Sequence, residues 1–188
     1  YRELKIFLIS FFLLSIGVQT IILMAGIFGT VLGLPTLNLI ATILLVQFVG
    51  ILGAFLFSRL SNKIGNITTL KITIVIWGVV CFIGFNLTKD TSNVDMYFYV
   101  LGALIGLVMG AIQSLARSTY SKLLPKTEDN TSYFSFFDVT EKIALVIGMI
   151  TYGVLISLTG SMQWSVLALA IFFLASFIAI STMRKTKY

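Results

Sequence analysis

The chain has 188 residues, of which 58% are hydrophobic and 11% charged, and its mean hydropathy is +1.04. A soluble domain is about 45–50% apolar and about 25% charged, and even at about 150 residues it leaves roughly 30% of its chain surface in water. Composition therefore excludes a soluble enzyme, a disordered tail and a collagen-like fibre, and leaves an integral membrane protein. Its charge of +6 sits at the ends of apolar runs, without the interleaved aromatics of a nucleic-acid surface, so no nucleic-acid partner is expected.

Six apolar runs follow in chain order: Leu4–Val31, Leu37–Phe57, Leu70–Leu87, Met96–Leu115, Tyr133–Leu158 and Trp164–Ile180. A spanning helix needs about 20 apolar residues. Apolar residues run continuously rather than alternating as in barrel strands, and lipid offers the backbone no hydrogen bonds, so each run is predicted to be a helix. The expectation is an all-α, six-span bundle forming a single membrane domain over 1–188. Its connections alternate between two sides. One side carries Arg2, Lys5, Arg59, Lys63, Lys71, Arg117, Lys122, Lys126, Arg184, Lys185 and Lys187, and the other carries Lys89. Eleven basic residues against one place both termini and the 58–70 and 116–132 connections on the cytoplasmic side. The first run is too long for a signal-peptide core and lacks a cleavage site. The chain begins at Tyr1 rather than Met, which suggests part of a longer protein.

Histidine is absent. That removes Ser–His and Cys–His catalysis, the usual haem ligand and most zinc sites, so neither cofactor nor metal is expected. The single cysteine, Cys81, lies in an apolar run and reads as packing.

The polar groups inside the runs sort the helices. Spans three and six are almost wholly apolar and read as outer supports. Spans one, two and four carry Gln19, Gln47 and Gln113, and span five carries Asp138, Glu141 and Lys142. If span five begins near Ser132, Lys142 lies about 15 Å in, close to the midplane of a hydrocarbon core about 30 Å thick. Asp138 and Lys142 are then spaced to pair along one helix face. A charge at that depth costs about 2.5–3.5 kcal/mol on insertion scales, so it marks a bundle interior or a functional path. The alternative is a span that starts at Ile143 and leaves all three charges in the interface. Gly102, Gly106 and Gly110 recur every fourth residue in span four, as Gly50, Ala54 and Ser58 do in span two. Such small-residue stripes let helices approach closely.

Several stretches carry a resemblance. They are Gly17-Val18-Gln19-Thr20-Ile21-Ile22, Gln47-Phe48-Val49, Gln113 to Ser118 with Leu124-Pro125-Lys126, Phe136-Phe137-Asp138-Val139 with Lys142, and Leu158-Thr159-Gly160-Ser161. In their order and spacing they resemble the vacuole-effluxer-like branch of the major facilitator superfamily, over nearly the whole chain. The resemblance implies the C-terminal six helices of a twelve-helix permease, built from two inverted three-helix repeats. It also implies that the first, second, fourth and fifth helices border a cavity. The cytoplasmic motif Gly-x-x-x-Asp-Arg-x-Gly of that superfamily stands here as Ser58, Asn62, Lys63 and Gly65, with its first glycine and its aspartate replaced. Where relatives carry an acid before the Gly-Val-Gln-Thr run this chain has Ile16, and where they often have glycine it has Glu141.

The resulting expectation is a half-carrier, not an enzyme, that moves a small polar solute such as an amino acid by alternating access. Lys142 faces a carboxylate, Asp138 and Glu141 an amine or a proton, and the three glutamines add neutral hydrogen bonds. Its partners would be the bilayer, the small-molecule substrate, and an N-terminal six-helix half or a homodimer mate, in the plasma membrane. Two other readings of the same residues stand beside it. One is a non-transporting scaffold, assembly subunit or degenerate half-transporter, favoured by the glycine stripes. The other is an intramembrane enzyme using Asp138 and Glu141, disfavoured because no second acidic cluster lies on another span.

Overall fold

A computed structural model describes residues 2–125 and 130–183. Of the basic residues assigned above to one side, Lys126, Arg184, Lys185 and Lys187 lie outside the described residues. The described chain forms six helices: α1 Arg2–Val31, α2 Thr36–Ile64, α3 Asn66–Asn86, α4 Val94–Leu123, α5 Asn130–Thr159 and α6 Met162–Ser181. All six contain a stretch long and apolar enough to cross a membrane. The longest, at 30 residues, reach about 45 Å, which exceeds a hydrocarbon core of about 30 Å.

That excess length corrects the expected 58–70 connection. Ser58, Asn62 and Lys63 form the last turns of α2, and only Gly65 separates α2 from α3. Polar side chains do not end a helix that is leaving the hydrocarbon, because water solvates them there. The break comes from Gly65, whose φ of 88° suits a residue without a Cβ. The connection after α4 is shortened in the same way, since α4 continues past Arg117 to Leu123.

Two packing units make up the bundle. In the first, α1 packs against α5 and α6, and α3 against α4 and α6. Phe7, Phe11, Leu14, Val18, Leu70, Ile74, Val108 and Leu169 fill its core, and Trp77 stacks on Phe173 with ring centroids 5.6 Å apart. Two buried serines of this core are paired across helices, whereas Trp77 Nε1 and the Tyr152 hydroxyl have no hydrogen-bond partner among the described residues. Ser10 Oγ donates to the Ser176 carbonyl at 2.9 Å, and Ser176 Oγ donates to the Ser10 carbonyl at 2.8 Å, which joins α1 to α6. On the face of α6 opposite its buried residues, Ile171, Leu174 and Ile178 are exposed.

The second unit is α2 on α4. A Cβ on Gly106 would stand 2.6 Å from the Val46 carbonyl oxygen, and one on Gly102 would stand 2.5 Å from the Thr42 methyl. Gly110 meets the Gly50 carbonyl, and Gly53 meets the Leu107 carbonyl, more closely still. The two backbones therefore touch along most of the membrane. Gly106→Val is expected to force α2 and α4 apart and to cost about 1–3 kcal/mol. A lowered thermal unfolding midpoint in detergent, against an unchanged midpoint for Gly78→Ala, whose Cβ would meet nothing within 4 Å, is the measurement that checks it.

Candidate functional site

Between α1, α2, α4 and α5 lies a cavity of about 690 Å³, and neither α3 nor α6 contributes to its wall. Gln19, Gln47, Gln113, Arg117, Glu141 and Lys142, with the smaller Ser15 and Ser114, supply its polar lining. Gln19 lies in the middle third of α1, roughly 26 Å from its first residue. Its Nε2 donates to Glu141 Oε1, so Glu141 stands level with the middle of α1. Because α5 is continuous from Asn130, Lys142 lies about 18 Å along the helix. The helix therefore does not start at Ile143, and Glu141 stands beside the middle of α1.

Local packing explains why these side chains converge. Gly148 has no side chain, and a Cβ there would stand 2.7 Å from the Ile16 carbonyl oxygen. The close approach of α5 to α1 places Glu141, two turns earlier, beside Gln19. On the other side, the glycine contact of α2 with α4 brings Gln47 and Gln113 into one wall.

One expected pair is corrected. Asp138 does not pair with Lys142 on its own helix. It accepts a hydrogen bond from the Arg117 guanidinium of α4 at 2.8 Å. Arg117 also lies over the Phe137 ring, 5.9 Å from its centroid. The guanidinium spans the gap between α4 and α5 and carries several donors in one plane, whereas the Lys142 stem would have to fold back along α5. Asp138 is thereby drawn to the rim, where it borders a shallow apolar groove with Val139 and Lys142. Lys142 makes no hydrogen bond or ion pair among the described residues, and it lines both this groove and the cavity.

Aromatic rings close the same end of the cavity. Phe11 and Phe137 stack at 4.1 Å, Tyr120 lies 4.9 Å from Phe137, and the Tyr120 hydroxyl donates to the Tyr133 carbonyl at 2.8 Å. Ser58, Asn62, Lys63 and Gly65 lie apart from the cavity, at the end of α2. The polar contacts at that level come from α3 and α4. Asn66 Nδ2 donates to Ser118 Oγ and Thr119 Oγ1, at 3.3 and 3.1 Å, while Lys122 Nζ donates to Asn66 Oδ1 at 3.3 Å. Among the described residues no group of three or more metal-ligating His, Cys, Asp or Glu side chains occurs.

Sequence reasoning counted Arg117 only as a topological charge and missed its place in the site. The signal was available in its position, four residues and so about one helical turn after Gln113. The cavity wall brings together two cations, one carboxylate, three amides and the hydroxyls of Ser15 and Ser114 among apolar residues. The two acids differ in what their removal should do. Arg117 and Asp138 are half exposed, with side chains 56% and 49% accessible, so Asp138→Asn is expected to change stability by less than about 1 kcal/mol. Gln19→Leu leaves the part-buried Glu141 carboxylate without its donor and is expected to cost about 1–3 kcal/mol. Thermal unfolding of the two variants side by side checks the contrast.

Comparison with known proteins points the same way. Residues 1–187 match the family described as vacuole effluxer Atg22 like. An uncharacterized MFS-type transporter, YxiO, of Bacillus subtilis (strain 168) is 29% identical over 181 residues, covering 96% of this chain and 41% of the relative. Autophagy-related protein 22 of Eremothecium gossypii is 28% identical over 182 residues, covering 93% and 36%. Its counterpart in Candida glabrata is 26% identical over 171 residues, covering 87% and 31%. The chain thus spans about a third to two fifths of the length of these relatives.

Proposed function

The chain belongs to the vacuole effluxer Atg22-like family, and from that membership we propose that it is the C-terminal six-helix half of a secondary transporter of the major facilitator type. The observation that carries the proposal is the cavity that gathers Gln19, Gln47, Gln113, Arg117, Glu141 and Lys142 from four helices. A scaffold has no use for a lysine and a carboxylate held in a pocket inside the bilayer, where each charge costs free energy.

The solute is a small zwitterion such as an amino acid. Lys142, with no partner of its own among the described residues, receives the substrate carboxylate. Glu141, held by Gln19, receives the ammonium group or a proton. The glutamines offer both donors and acceptors to the remaining polar atoms. Arg117 and Asp138 bridge α4 and α5 at the rim and act on access rather than on binding.

Alternating access requires a second body against which this bundle rocks. An N-terminal six-helix half, in the same polypeptide or separate, or a homodimer mate, fills that role. Its place is against α2 and α5, the helices that bury the smallest share of their residues within this chain. Both termini of the chain face the cytoplasm on the charge distribution, and the cell membrane is the proposed location, in keeping with the similarity to a bacterial relative.

The test uses the complete polypeptide carrying this sequence, reconstituted in proteoliposomes. Saturable uptake of radiolabelled amino acids is expected. Lys142→Met should raise KM roughly ten- to hundred-fold, the loss of one charge-assisted contact, while insertion and thermal midpoint are retained. Decarboxylated amines of the same side chains should not distinguish the variant from the parent. Undiminished amino-acid transport by Lys142→Met would overturn the site, and absence of any saturable transport would favour the scaffold.

A further inference from the structure

α2 has an exposed flank that the solute cavity does not use. Leu44, Phe48, Leu52 and Phe55 recur every third or fourth residue, so they share one face of the helix, and all of them are exposed. The same face continues through Arg59 and Lys63 to the end of α2 at Ile64. Gln47, which lines the cavity, points elsewhere. Leu52, Arg59 and Lys63 stand roughly 120–160° around the helix from it. A second body that closes on the cavity meets the Gln47 side and leaves this flank to lipid.

The two cations at the end of this flank have no counter-charge. α2 and α3 contain no Asp or Glu, and neither Arg59 nor Lys63 makes a hydrogen bond or ion pair among the described residues. They stand one turn apart on one face, where like charges repel. The Arg59 guanidinium lies over the Phe55 ring, 4.1 Å from its centroid. A guanidinium resting on a ring is pinned without using its N–H donors, which stay free for a bidentate oxyanion. The orientation of the chain requires basic residues on this side, but it does not require them stacked above an exposed apolar stripe. From Leu44 to Arg59 that stripe runs about 22 Å, enough to cross one hydrocarbon leaflet of about 15 Å.

We propose that this flank binds an anionic glycerophospholipid of the cytoplasmic leaflet, with its phosphate on Arg59 and Lys63 and an acyl chain along Phe55, Leu52 and Phe48. The headgroup supplies the missing counter-charge in the leaflet where anionic lipid attracts basic side chains. A choline headgroup brings its own cation against Lys63 and is disfavoured. The site is independent of the transported solute, and its occupancy does not require that the protein transport anything.

The probe is phosphatidylglycerol with a photoreactive diazirine in one acyl chain, doped into phosphatidylcholine nanodiscs that hold the complete polypeptide. Labelled positions are mapped by peptide mass spectrometry. Saturable labelling between Leu44 and Phe55 is expected, in excess of that on the α6 face around Ile171, Leu174 and Ile178. Unlabelled phosphatidylglycerol should displace it, and added phosphatidylcholine should not. Arg59→Gln combined with Lys63→Gln should weaken binding about twenty-five-fold, at about five-fold per charge. Arg2→Gln combined with Lys5→Gln, which removes the same charge from α1 on the same side, should leave it unchanged. Phe55→Leu keeps the apolar surface but removes the ring under Arg59, and should weaken binding about two- to five-fold. Phe55, Arg59 and Lys63 are all exposed, so these variants should keep the thermal midpoint of the parent. Equal losses from the two double variants would overturn the site. So would labelling that does not separate phosphatidylglycerol from phosphatidylcholine. Displacement by soluble glycerophosphate as readily as by the lipid would assign the two cations to a free phosphate ester and overturn the lipid.

Discussion

The backbone contact between α2 and α4 is the constraint on which the rest of the bundle depends. In lipid there is no hydrophobic drive to hold one apolar helix against another, so association rests on close packing and hydrogen bonds. α2 has little else to hold it. Its large side chains, among them Ile40, Phe48, Leu52 and Phe55, are exposed rather than packed within the bundle. Glycines at 50, 53, 102, 106 and 110 remove the side chains that would separate the two helices. Everything that α2 brings to the cavity, Gln47 above all, is placed by that contact.

On the opposite wall a single glycine does similar work. Gly148 lets α5 lie against Ile16 and Thr20 of α1, and Glu141 then meets Gln19. The cavity is therefore a space between two tightly joined pairs, α2 with α4 and α1 with α5. α3 and α6 lie behind and tie the pairs together through Trp77, Phe173 and the reciprocal Ser10–Ser176 bonds. Polar side chains line the space because each pair turns its small residues inward to the partner helix and its amides and charges toward the gap.

Much of this was legible in the chain. Hydropathy alone marks six helices, since no other backbone satisfies itself in lipid. The costly polar groups Gln19, Gln47, Gln113, Glu141 and Lys142 sort the cavity-lining helices from α3 and α6 for the same reason. What was not legible depends on distances between helices. Asp138 has a basic neighbour at i+4 in Lys142 and another in space in Arg117, and only the three-dimensional gap between α4 and α5 decides between them. Gly148 belongs to neither glycine stripe and has only Ala144 four residues before it, so the sequence does not distinguish it from an incidental glycine. Ser58, Asn62 and Lys63 read as a loop because polarity was taken for irregularity, whereas a helix that outruns the bilayer stays helical among polar residues.

Gly65 has a consequence for how the bundle can move. A connection of one residue transmits displacement almost without slack. When the inner end of α2 swings, the first turn of α3 must swing with it, and Asn66 carries the motion into α4 through Ser118 and Thr119. α2 and α4 are thus linked twice, along their length by glycines and at one tip through α3. A body coupled at two separated points resists twisting and sliding and keeps chiefly the freedom to tilt as a unit.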